Sequence, residues 1–271
     1  MRYGWFAILL SLLLLPTAGA AELKRHSATS RTHPAPVVNF NTYVLQSIRE
    51  MPTGGGYAAT PEDVARAAEE AVVWSNQEQR LKLSPQKAAP TFCSAAVYMV
   101  LLRSLQRWES HAAQRLSPTA WELLDMKSNQ PDGTGVWGRV NANGPGLAKL
   151  VHDLGAGINF RDIRQAQQGD FLKIFWSDDI GAAERGHLVV YLGLEKKNGA
   201  ICLKYWSANK PGGYGVKSAP LSRMHNLIFT RIIAPQQFGR AAGLPPHDRW
   251  LEAMQQRTFT FSEVQQRCGI R

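Results

Sequence analysis

Residues 170–176 read DFLKIFW and residues 187–195 read HLVVYLGLE. Each run is short, rich in aromatic and β-branched side chains and bounded by Gly or Asp, which predicts a strand rather than a helix. Two further runs follow in the same style, AICLKYWSA at 200–208 and NLIFTRII at 226–233. Their short connections predict antiparallel neighbours. Upstream the period changes. From Cys93 the apolar positions fall at Ala96, Val97, Val100, Leu101, Leu105 and Trp108, three and four apart, which predicts a helix. Ser117-Pro118 and Pro145 open further helices, with the turn-rich NQPDGTG between them. Helices first and a meander of strands afterwards predict an α+β fold, with the helices packed on one side of the sheet.

The chain ends carry different information. The first twenty residues, MRYGWFAILLSLLLLPTAGA, set one arginine before an apolar run and finish on Ala18-Gly19-Ala20. This predicts a secretory signal peptide over 1–20, hence a periplasmic or secreted protein with no stable transmembrane anchor. Residues 21–37, polar, basic and proline-bearing, are expected to form a flexible lead-in. Residues 38–87 are expected to be an N-terminal helical extension: Asn41 caps a short helix, MPTGGGY (51–57) is a loop, and Thr60-Pro61-Glu62-Asp63 starts a second helix. A main domain over 88–233 then precedes a C-terminal extension, 234–271, packing on the core. In that extension Ser262 and Gln265 stand at capping-box spacing and Gly269 is a stop.

The 31 basic residues outnumber the 21 acidic ones and give a formal charge of +10. They are scattered, which suits anionic surroundings such as a cell-wall polymer. Zinc-finger spacing, the aromatic RNA-binding signature and a basic heptad helix are all missing, so nucleic acid is not the expected partner. Nor does the sequence contain a Gly-x-Ser-x-Gly elbow, a phosphate-cradling loop or His-Glu-x-x-His, and its histidines are dispersed. Neither a metal nor a cofactor is implied.

Three cysteines cannot all pair within one chain. If Cys202 and Cys268 form a bridge, Cys93 in PTFCSAAVY (90–98) is left free. Cys93 falls in the first turn of its helix, with Thr91 set to cap it. There, open N–H groups and the helix dipole favour a thiolate. Activation also requires an imidazole. His26 and His33 lie in the lead-in, His111 and His152 belong to helices, and His225 and His247 flank loops; only His187 opens a strong strand. Alternation on the following strand puts Ser207 and Asn209 on one face, so either can orient the His187 ring. Tyr57 in TGGGY, Tyr98, Trp176 and Trp206 are candidates for a cleft wall or for core filling. Asp170 reads as a strand-start residue.

A cysteine opening a helix, followed by GDFLKIFW (169–176) and GHLVVYLG (186–193), resembles the NlpC and CHAP groups of papain-like cell-wall peptidases and amidases. The resemblance spans about residues 88 to 233. It implies a papain-like fold with the nucleophile helix packed on an antiparallel sheet. It also implies Cys93 as nucleophile, His187 as base, Asn209 as third member with Ser207 as the alternative, and peptidoglycan amide bonds as substrate, in the stem peptide or between sugar and peptide. Phe92 stands where the family has Asp, and Ser207 stands where CHAP members carry an acid, so the chain reads as a divergent member. An acyl or amide transferase on the same fold, or a non-catalytic wall-binding scaffold, are the alternatives.

Overall fold

The computed structural model describes residues 39–270; the Asn39 side chain accepts from the N–H of Asn41 and caps α1 (Phe40–Arg49). The expected cap, Asn41, is buried within the helix instead, because its Nδ2 donates to Asp170 Oδ1 at 2.7 Å. The expected signal peptide (1–20) and lead-in (21–37) lie outside the described residues.

The segment expected to be helical up to residue 87 is mixed. Gly54–Gly55, from the expected loop, form β1, an edge strand paired antiparallel with Tyr214 and Gly213. Glycine has little strand propensity, so this pairing rests on backbone hydrogen bonds rather than side chains. α2 (Pro61–Arg66) starts at Thr60 as expected, with both arms of its capping box made: Asp63 N to Thr60 Oγ1 at 3.3 Å and Thr60 N to Asp63 Oδ2 at 2.9 Å. A π-helical turn over 67–71 then leads into a hairpin of β2 (Val72–Ser75) and β3 (Arg80–Leu83).

The central helix α3 (Cys93–His111) buries every residue from Ser94 to Leu102. A helix buried all round needs neighbours on all sides. On one side α1 packs against it, tied by Ser104 Oγ to Ser47 Oγ at 3.1 Å. Beyond it follow α4 (Pro118–Leu123), α5 (Gly135–Asn141) and α6 (Gly146–Leu154), the last from the predicted Pro145 start. Tyr98, weighed above for a cleft wall, is core: it is fully buried, its hydroxyl donates to Leu124 O at 2.6 Å, and its ring centre lies 5.3 Å from that of Trp137.

The strands are β4 (Gly157–Phe160), β5 (Phe171–Phe175), β6 (Ile180–Gly181), β7 (His187–Lys197), β8 (Ala200–Asn209), β9 (Gly213–Pro220) and β10 (Asn226–Ile232). Seven strands form one antiparallel sheet in the order β1-β9-β8-β7-β5-β10-β4. The fold is thus α+β with an antiparallel sheet, as the sequence predicts. Phe171, Leu188, Val190 and Trp206 face the helices, while Leu172, Val189, Tyr191 and Leu203 make a second cluster on the opposite face. Trp206 is therefore core as well, stacked on Tyr214 with ring centres 6.0 Å apart. One core runs from Phe40 to Ala241, so the N-terminal segment shares the interior of the 88–233 region rather than standing beside it.

The C-terminal segment supplies α7 (Arg249–Ala253), β11 (Thr258–Phe259), paired with β6, and α8 (Phe261–Arg267). The capping box of α8 is Thr260 with Glu263, two residues before the expected Ser262 and Gln265. Gly269 ends the helix at φ +60°, as expected. The expected bridge is corrected: all three cysteines are free. Cys202 sits on β8 opposite Glu195 and Pro220, whereas Cys268 is buried with Phe175, Ile228 and Phe261 in another cluster. Apolar burial holds this tail in place of a covalent link, at about 1.5–3 kcal/mol for each fully buried large side chain. Asn159 Nδ2 adds hydrogen bonds of 2.8 Å to the carbonyls of Cys268 and Ala148. Among the described residues no helix is long and apolar enough to cross a membrane.

Candidate active site

Cys93 is the first residue of α3, and its position follows from how the chain enters that helix. The N-cap is Phe92, which has no side chain able to accept a hydrogen bond. The expected cap, Thr91, is occupied through its backbone: its N–H donates to Gly56 O at 3.3 Å and its carbonyl accepts from Ala58 N at 3.1 Å. The first-turn N–H groups are therefore left without a side-chain acceptor, at the wall of a cleft lined by Phe92, Cys93 and Ser94. The same backbone pairing brings Tyr57 beside the half-buried Cys93, close enough for the sulfur's charge to act on the phenol.

His187 is the partner base in reach. Burial on its own would raise the Cys93 thiol, but the hydrogen bond and charge of His187, the charge of Lys173 and the N–H of Leu188 outweigh it, and the thiol falls from 9.0 to about 6. Burial, together with the neighbouring sulfur, pushes the Tyr57 phenol up instead, so it remains a hydroxyl donor. The loop reaches His187 through Gly186, at φ +69°. A Cβ there would stand 2.5 Å from Lys173 Cε and 2.8 Å from the Phe175 ring.

The ring's Nε2 lies 3.2 Å from Asn209 Oδ1. The orientation of that amide is fixed by its other end, since Nδ2 donates to the carbonyls of Ser207 at 3.0 Å and Gly215 at 2.9 Å. The oxygen must therefore face the imidazole, Nε2 carries the proton, and Nδ1 is the nitrogen left for the sulfur. Ser207, the alternative orienting group, is engaged elsewhere: its hydroxyl donates to Leu188 O at 2.8 Å and is fully buried. Cys93, His187, Asn209 and Tyr57 thus converge, while Ser207 braces the strands behind them.

Two clefts meet at this constellation, and Tyr57 and Gly186 border both. The first, about 380 Å³, lies on the Cys93 side and is lined by Ser94, Asp132, Asn143, Lys173, Arg185 and Gln255 among others. The second, about 410 Å³, lies on the His187 side with Trp176, Tyr205, Asn209, Lys210, Lys217 and Arg223. Its charged residues are all cations. Lys210 Nζ also stands 5.3 Å from the centre of the Tyr57 ring. Of the aromatic candidates, Tyr57 and Trp176 reach the clefts, whereas Tyr98 and Trp206 do not.

Asp170 is structural, as expected from its place at a strand start. Fully buried, it takes Arg231 Nε at 2.8 Å and Nη2 at 2.7 Å, Asn41 Nδ2 at 2.7 Å and Gln167 N at 2.8 Å, joining α1, β5 and β10. Sequence reasoning missed Lys173 and Gln255. Lys173 carried a signal: it is the one charged residue in a strand whose other members are all apolar, at an inward position. Gln255 comes from the C-terminal extension and left none. Among the described residues, no group of three or more His, Cys, Asp and Glu side chains is close enough to hold a metal ion. Comparison with protein-family models, with curated proteins and with solved structures finds no match.

Proposed function

We propose that this chain is an exported cysteine hydrolase of papain-like type that cleaves amide bonds in peptidoglycan, in the stem peptide or between sugar and peptide. The observation that carries the reading is the relay of Cys93, His187 and Asn209, with a thiol brought down to about 6 at an uncapped helix N-terminus. In this reading the Cys93 thiolate attacks the amide carbonyl carbon and a C–S bond forms. The Cys93 N–H and the Tyr57 hydroxyl, both beside the sulfur, hold the developing oxyanion. As the C–N bond breaks, His187 gives its Nδ1 proton to the leaving amine; water then attacks the thioester, its proton returns to His187, and acid and thiolate separate. Asn209 keeps the ring in the tautomer these transfers need.

The wall as substrate is supported by the expected export signal, the positive charge of the chain and the cations along both clefts. Mature protein incubated with peptidoglycan should release fragments identifiable by mass, and Cys93→Ala protein should release none. Identical digests from the two would sink the assignment. The His187-side cleft offers room for an amine acceptor in place of water, so digestion with added amines separates a transferase from a hydrolase by the mass of its products.

A further inference from the structure

The segment that joins β5 to β7, residues 176–186, ends one position before His187, and its one regular element is the two-residue β6. Backbone donors in so irregular a stretch need acceptors from elsewhere. A single half-buried side chain supplies three of them. Glu184 Oε2 accepts from Trp176 N at 2.7 Å and Ser177 N at 3.2 Å, and Oε1 accepts from Gly186 N at 2.8 Å. The carboxylate therefore ties the residues that leave β5 to the one that enters β7 and closes the segment at its neck, through charge-assisted hydrogen bonds. The tip is held by other partners: β6 pairs with β11, and Ala182 N donates to Arg257 O at 3.0 Å.

Only the neck borders the imidazole. Pairing with Ile174 sets the height of His187 on the sheet. Gly186, at φ +69° and without a side chain to fix its own conformation, sets the direction from which the chain arrives there, and its N–H is the one Glu184 holds. The ring has to meet Asn209 Oδ1 at 3.2 Å and the sulfur at once. A displacement of about 1 Å in such a couple costs on the order of 10²-fold in rate.

We propose that Glu184 is a positioning residue for the base: its carboxylate closes the 176–186 segment and so holds the His187 ring against Cys93 and Asn209, without touching substrate. The inference rests on the cysteine-hydrolase reading for the role of His187.

Glu184 is also a negative charge whose field reaches Lys173, beside the sulfur, and the sign of the effect separates the two roles. Removing a nearby carboxylate by itself favours the thiolate and lowers the pH at which Cys93 ionises, whereas loosening the imidazole raises it. The other groups acting on the sulfur, Tyr57, Lys173 and the Leu188 N–H, stay in place in either case. In Glu184→Ala, iodoacetamide alkylation of Cys93 should inflect at least about one pH unit above the wild type. Glu184→Gln, which loses the charge and keeps one acceptor oxygen, should move less in the same direction, and it decides the matter by the same sign if Glu184→Ala does not fold. An unchanged or lowered inflection overturns the proposal.

If the wild-type thiol inflects at its ordinary value, the hydrolase reading fails by itself, and the ring is then followed without the sulfur. In Cys93→Ala protein labelled with ¹⁵N-histidine, at about pH 8, the His187 ring should show one protonated and one bare nitrogen, the tautomer that Asn209 selects. Adding Glu184→Ala should average the two shifts. Identical spectra with and without that change overturn it.

Discussion

Replacing His187 with alanine tests the thiol's activation directly. An ordinary thiol at 9.0 is roughly 1% ionised at pH 7, whereas one at about 6 is roughly 90% ionised, a gain of about 90-fold in thiolate. The gain in rate is smaller, because a Brønsted slope of about 0.4–0.5 makes the less basic thiolate roughly 20-fold weaker as a nucleophile. At pH 7 the net advantage is only about fivefold, but at pH 5.5, where an unassisted thiol is almost wholly protonated, it grows to roughly 40-fold. The diagnostic quantity is thus the position of the inflection. Cys93 alkylation by iodoacetamide, followed by peptide mass from pH 5 to 10, should inflect near 6 in the wild type. Reactivity is present above that value and lost as pH falls through it. In His187→Ala, burial opposes only the charge of Lys173 and the Leu188 N–H, so the inflection should rise above about 8. Cys202 and Cys268 are buried, and burial pushes the Cys268 thiol up, so neither competes. A wild-type inflection near 9, or coincident wild-type and variant profiles, would refute the argument.

Three further outcomes follow from the geometry. Asn209→Ala removes the 3.2 Å bond that orients the ring and should lower turnover by about 10- to 100-fold, while iodoacetamide still labels Cys93. Tyr57→Phe removes one proposed oxyanion donor and should lower kcat by roughly 10²-fold with KM little changed; equal kcat would show that the phenol only lines the cleft. Asp170→Asn leaves Arg231 without its carboxylate, and urea unfolding should report a loss of about 3–5 kcal/mol through a lower midpoint at unchanged slope.

The sequence made the sulfur, the imidazole and the asparagine legible because each has a local marker. Cys93 opens a run with helical spacing, His187 opens a strand just after a glycine, and Asn209 shares the parity of Tyr205 and Ser207. Features held by backbone alone were not legible. The pairing of Gly54–Gly55 with β9 leaves no side-chain signal, and β9 itself, reading GYGVKSAP, has glycine at two of its first three positions and carries a single β-branched residue. The β2–β3 hairpin escaped for the opposite reason: the alanine spacing of the preceding helix runs unbroken into Val72 and Val73, and only the π-helical turn marks the change. The signal at Lys173 is ambiguous by itself, because a lysine in a strand usually faces solvent. Tyr98 and Trp206 were candidates through aromaticity alone, and their burial could be known only from the packing.

The glycine edge strand has a practical consequence. Residues 54–57 deliver the phenol to the sulfur from a part of the chain well before the nucleophile helix, and Arg66 anchors the same region by donating to Pro90 O at 2.6 Å. A recombinant fragment trimmed at residue 88, the start expected for the main domain from the sequence, keeps both members of the thiol–imidazole couple. It loses Tyr57, however, and bares the outer rim of β9 to any other chain with a strand to add. Such a fragment should be both sluggish and prone to self-association, and its silence would say nothing about the intact molecule.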